Sequence, residues 1–131
     1  MKILLMNDSR VSLKILEDML KRINPVLEVL TAKDGQEGLE ILQRDFEDVC
    51  LILTDWNMPR MDGLEFMRVT RKEARLASIP VIMITANAEK SEKINAFQNG
   101  IYDLLMKPLD KKLLLLVIKR ALEDSRNLVL C

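Results

Sequence analysis

The chain contains no histidine and only two cysteines, Cys50 and Cys131. The first absence excludes a histidine-ligated zinc site and a Ser-His-Asp triad. Two cysteines build no disulfide framework: Cys50 falls in an apolar strand pattern and reads as a small buried residue, Cys131 as a free tail thiol. That usage suits a cytoplasmic protein. Net charge is absent too, with 20 Lys and Arg against 20 Asp and Glu, so no long-range field draws the chain to nucleic acid or to an anionic membrane. Long apolar runs are also missing. The longest, Leu113 to Ile118, has six residues between Lys111-Lys112 and Lys119-Arg120, far below the roughly 20 residues of a membrane span. Four apolar residues separate Met1-Lys2 from Asn7-Asp8, too few for the apolar core of a signal peptide.

What is present is a single globular pattern. The 131 residues, 49% of them hydrophobic, fit one domain over residues 1–124 with a tail over 125–131. Short apolar runs alternate with helical stretches. Ile3 to Met6, Val26 to Ala32, Val49 to Thr54, Pro80 to Thr85 and Tyr102 to Met106 read as strands. The second is an edge strand, because it begins beside Pro25 and carries Glu28. Val11, Ile15, Met19 and Ile23 recur at helical spacing, opposite Lys14, Glu17 and Lys21, and Asn24-Pro25 stops that helix. Asp34 caps a second helix with Glu37 three positions on, and Leu39, Leu42 and Phe46 line one of its faces. Gly63 to about Ala77 reads as a third helix, Glu89 to Asn99 as a fourth, and a last one runs from a cap at Asp110 to about Asp124. Strands separated by helices of this length predict an α/β fold with a doubly wound parallel sheet of five strands.

The chemistry gathers at the strand ends. Asn7-Asp8 follows the first strand, Asp55 closes the third, Thr85 closes the fourth, and Lys107-Pro108 follows the fifth. In a parallel sheet these positions open on one edge, where such folds bind ligands. The acceptor-like Asp55 is followed by Trp56-Asn57-Met58-Pro59-Arg60-Met61-Asp62-Gly63. Each residue alone has an ordinary explanation: a helix cap for Asp8, a strand end for Thr85, a turn for Asp62-Gly63, a solvated side chain for Lys107.

Together, over nearly the whole chain, they resemble the receiver domain of two-component response regulators, in particular the chemotaxis type. The resemblance implies a flavodoxin-like (βα)5 fold with strand order 2-1-3-4-5. It implies a phosphorelay switch, a phosphoprotein that accepts a phosphoryl group as aspartyl phosphate on Asp55, from a sensor histidine kinase or a histidine phosphotransfer domain. Having no histidine, the chain is not its own donor. Mg²⁺ would be held by Asp8, Asp55 and the Asn57 backbone carbonyl, with Asn7 as a further candidate ligand. Lys107 would neutralise the phosphoryl oxygens and Thr85 would donate a hydrogen bond to them. The Lys107–Pro108 peptide bond is cis in the family. The protein would be a switch and not an enzyme, with modest autodephosphorylation, since the family's two lifetime-tuning positions hold the neutral amides Asn57 and Asn87.

Three departures from the pattern stand out. The family usually carries two adjacent acids after the first strand; here the first is Asn7, which removes one formal charge and weakens Mg²⁺ binding. The aromatic switch position of the fifth strand is Leu104. Tyr102, two residues earlier, falls on the same strand face by period two. In the last helix, six consecutive apolar residues circle the axis: Leu114, Val117, Ile118 and Ala121 face the sheet, and Leu115 and Leu116 turn partly outward, either as ordinary scattered surface leucines or as a contact surface for a partner protein, a second copy or a downstream domain. Asn57 stands where a haloacid dehalogenase type of phosphatase needs a second Asp. A pseudo-receiver that binds partners without phosphorylation is the alternative that Asn7 and Leu104 leave open.

Overall fold

A computed structural model describes residues 1–130, with side chains described through Asp124; Cys131 lies outside the described residues. The strands are β1 (Lys2–Met6), β2 (Glu28–Ala32), β3 (Val49–Asp55), β4 (Val81–Thr85) and β5 (Asp103–Met106). The helices are α1 (Arg10–Ile23), α2 (Gly35–Asp45), α3 (Gly63–Thr70), α4 (Ala74–Ala77), α5 (Lys90–Gln98) and α6 (Lys111–Leu130). All strands run parallel in the order β2-β1-β3-β4-β5. This is the predicted doubly wound, flavodoxin-like sheet, with β2 at an edge. No helix among the described residues is long and apolar enough to cross a membrane.

The strands read as continuous apolar runs because both sheet faces are covered. Leu4, Met6, Ile52, Val81 and Met83 point into one core with Leu39 and Leu42 of α2 and Phe66 and Met67 of α3. Ile3, Leu5, Leu51, Leu53, Ile82 and Ile84 point into the other, with Leu16 and Leu20 of α1 and Leu114, Val117, Ile118 and Ala121 of α6. The core face predicted for α6 is the observed one.

The face expected for α1 is not. Val11, Ile15 and Ile23 are 70%, 57% and 52% exposed, while Leu16 and Leu20 are buried and Leu13 is packed against them. A strict four-residue spacing advances about 40° per step around a helix, so the series winds off any one side. Leu13, Leu16 and Leu20, spaced three and four apart, stay on it.

The third helix also differs from its prediction. It stops at Thr70, and a separate single-turn helix covers Ala74–Ala77. Arg71, its C-cap, turns its guanidinium onto the backbone carbonyls of Leu76, Ala77, Ile79 and Gly100 at 2.8–3.5 Å. A continuous helix would carry Leu76 and Ala77 away from that group. Gly100 has φ of +92°, and a Cβ there would lie 2.9 Å from Arg71 Nε, so glycine is needed for both reasons. Burial holds the Arg71 pKa below its ordinary value, and its carbonyl partners stand in for water.

Tyr102 precedes β5 and does not share a face with Leu104: Tyr102 packs on the α1–α6 core, Leu104 on the other. Strand alternation begins only at Asp103. The Tyr102 hydroxyl donates to the Asp124 carboxylate. The last helix continues to Leu130, past its predicted end near Asp124.

Candidate functional site

Register brings the strand ends together. Met6 pairs with Thr54, Asp55 with Ile84, and Thr85 with Met106. Backbone bonds extend the ladder into the loops: Asn7 N–H donates to the Ala32 carbonyl at 3.0 Å, Trp56 N–H to Ile84 at 2.8 Å, and Lys107 N–H to Thr85 at 2.8 Å. Four loops therefore leave the same edge at fixed heights, with β3 between β1 and β4.

Asp55 is buried, and Lys107 Nζ lies 3.0 Å from its Oδ1. The Lys107–Pro108 bond is cis. Two features hold the end of β3 in place. Gly63 N–H returns to the Trp56 carbonyl at 2.8 Å. A Cβ on Gly63 would sit 2.7 Å from the Asp55 carbonyl oxygen and 3.2 Å from Trp56 Cα, so only glycine lets α3 begin this close to the strand. Asp62, readable as a mere turn residue, is the N-cap of α3 and accepts from Glu65 N–H at 2.9 Å.

The two residues after β1 divide their tasks. Asn7 is buried, and its Oδ1 accepts from Ser9 N–H at 2.9 Å, folding the loop into an Asx-turn. Asp8 is exposed beside it and makes no ion pair among the described residues. Ser9, not Asp8, is the N-cap of α1, so capping does not account for the aspartate. Thr85 is buried, and its hydroxyl donates to the Asn87 carbonyl at 3.0 Å. Asn57 is exposed in the loop after Asp55.

Asp8 follows β1 and Asp55 ends the neighbouring strand β3 at this edge, and they would be its carboxylate ligands; no cluster of three or more His, Cys, Asp or Glu able to hold a metal occurs among the described residues. With the Asn57 backbone carbonyl, these two carboxylates would make a hard, all-oxygen donor set. That composition fits Mg²⁺, which keeps several waters and takes few protein ligands. Asn7 retains a second lone pair on an oxygen already used in the turn.

Sequence reasoning missed one element of the site. Arg60, in the loop between β3 and α3, has φ of +62° and donates from both Nε and Nη2 to Asp34 Oδ2, at 2.8 and 2.7 Å. Asp34 Oδ1 meanwhile accepts from Glu37 N–H at 2.9 Å, as its predicted capping role requires. Burial alone would raise the Asp34 pKa; the Glu37 amide and the Arg60 guanidinium outweigh it and hold the carboxyl below the usual range. No local signal marks this pair, because its members lie 26 residues apart.

The family follows from this geometry and from the comparisons. Residues 3–119 match the response regulator receiver domain. The chain is 36% identical to a chemotaxis protein CheY homolog of Campylobacter jejuni over 124 residues, covering 95% of this chain and 91% of that protein. It is also 36% identical to chemotaxis protein CheY1 of Helicobacter pylori, covering 87% of this chain and 90% of that one. Among solved structures, a response regulator receiver domain protein from Clostridium thermocellum superposes with a TM-score of 0.88 at 28% identity, covering 97% and 98% of the two chains. Chemotaxis protein CheY4 of Vibrio cholerae gives 0.82 at 29% identity, covering 92% and 97%. The chain belongs to the response regulator receiver family. Such domains are signalling modules of two-component and chemotaxis systems, not classical enzymes.

Proposed function

We propose that this receiver is a switch phosphorylated on Asp55. The observation that carries the reading is the ammonium of Lys107 lying 3.0 Å from a buried Asp55 oxygen, at the strand edge shared with Asp8 and Thr85. A carboxylate oxygen of Asp55 forms a bond to phosphorus as the P–N bond of a partner's phosphohistidine breaks; the imidazole, already protonated on its other ring nitrogen, keeps the P–N electron pair and leaves neutral. Lys107 meets the charge gathering on the phosphoryl oxygens. Mg²⁺, held by Asp8, Asp55 and the Asn57 carbonyl, would supply further charge neutralisation. Thr85 donates to the phosphoryl group by turning its hydroxyl away from the Asn87 carbonyl. Asn57 and Asn87 are neutral amides and supply no general base, so hydrolysis is modest.

The donor, a histidine kinase or phosphotransfer domain, rests against the exposed Val11 and Ile15 of α1. A cavity of about 320 Å³ opens beside Ile15, lined also by Asn7, Met19, Ile84, Lys107 and Pro108. The output surface flanks β5. Ile94 and Phe97 of α5 and Leu113 and Leu116 of α6 are all 45–49% exposed, and offer contacts to a downstream protein or a second copy. Leu115 turns instead into a groove with Leu20, Ile23 and Leu27.

Intact-mass measurement after acetyl phosphate and Mg²⁺ treatment tests the assignment. Wild type gains one phosphoryl group and Asp55→Asn gains none. Equal labelling of the two would remove Asp55 from the role. No labelling of wild type would favour a pseudo-receiver, the reading that Asn7 and Leu104 support.

A further inference from the structure

We infer that Asp34 and Arg60 form a clamp that positions the acceptor loop, so that the placement of the Asn57 carbonyl beside Asp55 is set from the start of α2. The inference deepens the phosphoacceptor reading and rests on it for its consequence, but its structural half can be tested alone.

The loop is held on both sides of Asn57. On one side, Trp56 N–H is tied to β4 and the Trp56 carbonyl to Gly63. On the other, Pro59 to Met61 form a three-residue turn in which Met61 N–H donates to the Pro59 carbonyl at 2.6 Å across Arg60 at φ +62°. Turns of this hand are rare, and arginine has no intrinsic preference for that backbone region. What holds it there comes from α2. The guanidinium makes two bonds to one oxygen of Asp34, which is 1% exposed. Gly35 N–H donates to the Met61 carbonyl at 2.9 Å. A Cβ on Gly35 would lie 2.7 Å from Met61 Cγ and 2.9 Å from its carbonyl oxygen, so the two segments touch at backbone distance. Only Asn57 and Met58 lie between the two anchors, and Met58 is itself packed on the core. The freedom left to the Asn57 carbonyl is therefore small.

A merely stabilising surface pair makes a different prediction. The Arg60 side chain is 61% exposed but that of Asp34 only 2%, so a pair that only stabilised would, when broken, show as a loss of global stability. A positioning role shows locally instead. Two variants separate the effects: Arg60→Asn suits the left-handed backbone but lacks the guanidinium, and Asp34→Asn keeps an oxygen for the Glu37 cap but loses the charge. In metal-free, unphosphorylated protein, each should speed amide exchange at positions 57, 58, 60 and 61 by roughly tenfold while the core strands stay protected. The double variant should do no more than either single one, as expected of two halves of one interaction. Mg²⁺ titration followed by fluorescence of Trp56, the chain's one tryptophan, should show the dissociation constant rising severalfold in all three. The maximal rate with phosphoramidate should fall by a similar factor, with Arg60→Lys recovering part of it. Wild-type loop exchange in Arg60→Asn, or additive effects in the double variant, would overturn the clamp. Altered exchange with an unlabelled wild type would uphold the clamp and reject the phosphoacceptor reading instead.

Discussion

The two ends of the sheet use cations in opposite ways. At the end where the strands finish, Lys107 meets one buried carboxylate through one contact, and exposed Asp8 has no ion-pair partner among the described residues. At the end where the strands begin, Lys2 reaches Glu28, Asp45 and Asp48 at 3.5–3.8 Å, and Arg71 is spread over four carbonyls. One end is left with bonding capacity to spare and the other is saturated. Unspent capacity is what a ligand can use, and saturation is what holds a fold. The difference separates residues for chemistry from residues for stability more sharply than burial does, since both ends contain half-buried cations.

The comparison can be broken first at Lys107. Lys107→Ala should lower the rate of phosphorylation by a small donor by about 10²–10³-fold, as loss of a charge-stabilising donor does elsewhere, while circular dichroism shows the fold retained. A wild-type rate would mean that the open end is not where the chemistry happens.

Arg71→Ala should show the reverse. Carbonyls of Ala77 and Gly100 would lose their donor inside a half-buried turn, at a cost of about 1–3 kcal/mol in chemical denaturation, with the phosphorylation rate unchanged. Arg71→Lys should recover little, because an ammonium on a flexible stem does not reach all these acceptors at once. If Arg71→Ala leaves stability untouched but slows phosphorylation, the division between the ends fails.

The smallest effect belongs to Tyr102, also at the saturated end. Its hydrogen bond to Asp124, helped by burial, pushes the phenol up to about 12 from an ordinary value of 10.0. The fold therefore prefers the protonated phenol. Its contribution is complete below pH 10 and is lost as pH rises from there toward 12. The stability difference between wild type and Tyr102→Phe should be flat across neutral pH and shrink only within that window. A difference that changed near neutrality would point to another group.

Both ends were unequally legible in the sequence. The strand ends could be read because apolar runs mark the strands and each run stops at a residue with its own chemistry. Asp55, Thr85 and Lys107 needed only the parallel topology to be brought together. The other end could not be read this way. The break after Thr70 has no proline or glycine to announce it; it follows from Arg71 meeting a carbonyl 29 residues away. Arg60 was silent for the same reason, since its meaning depends on a partner in α2. The misread face of α1 has a different origin: Val11, Ile15 and Ile23 keep a regular interval, but the interval is not quite the helix's own.

The ion pair at the open end joins a central strand to an edge strand. Asp55 ends the central β3, and its counter-charge is supplied from just past β5, the edge strand. Fraying of that edge would carry the ammonium away and leave a buried carboxylate uncompensated, which is costly. A peripheral strand is thereby tethered to the middle of the sheet by charge as well as by its backbone ladder.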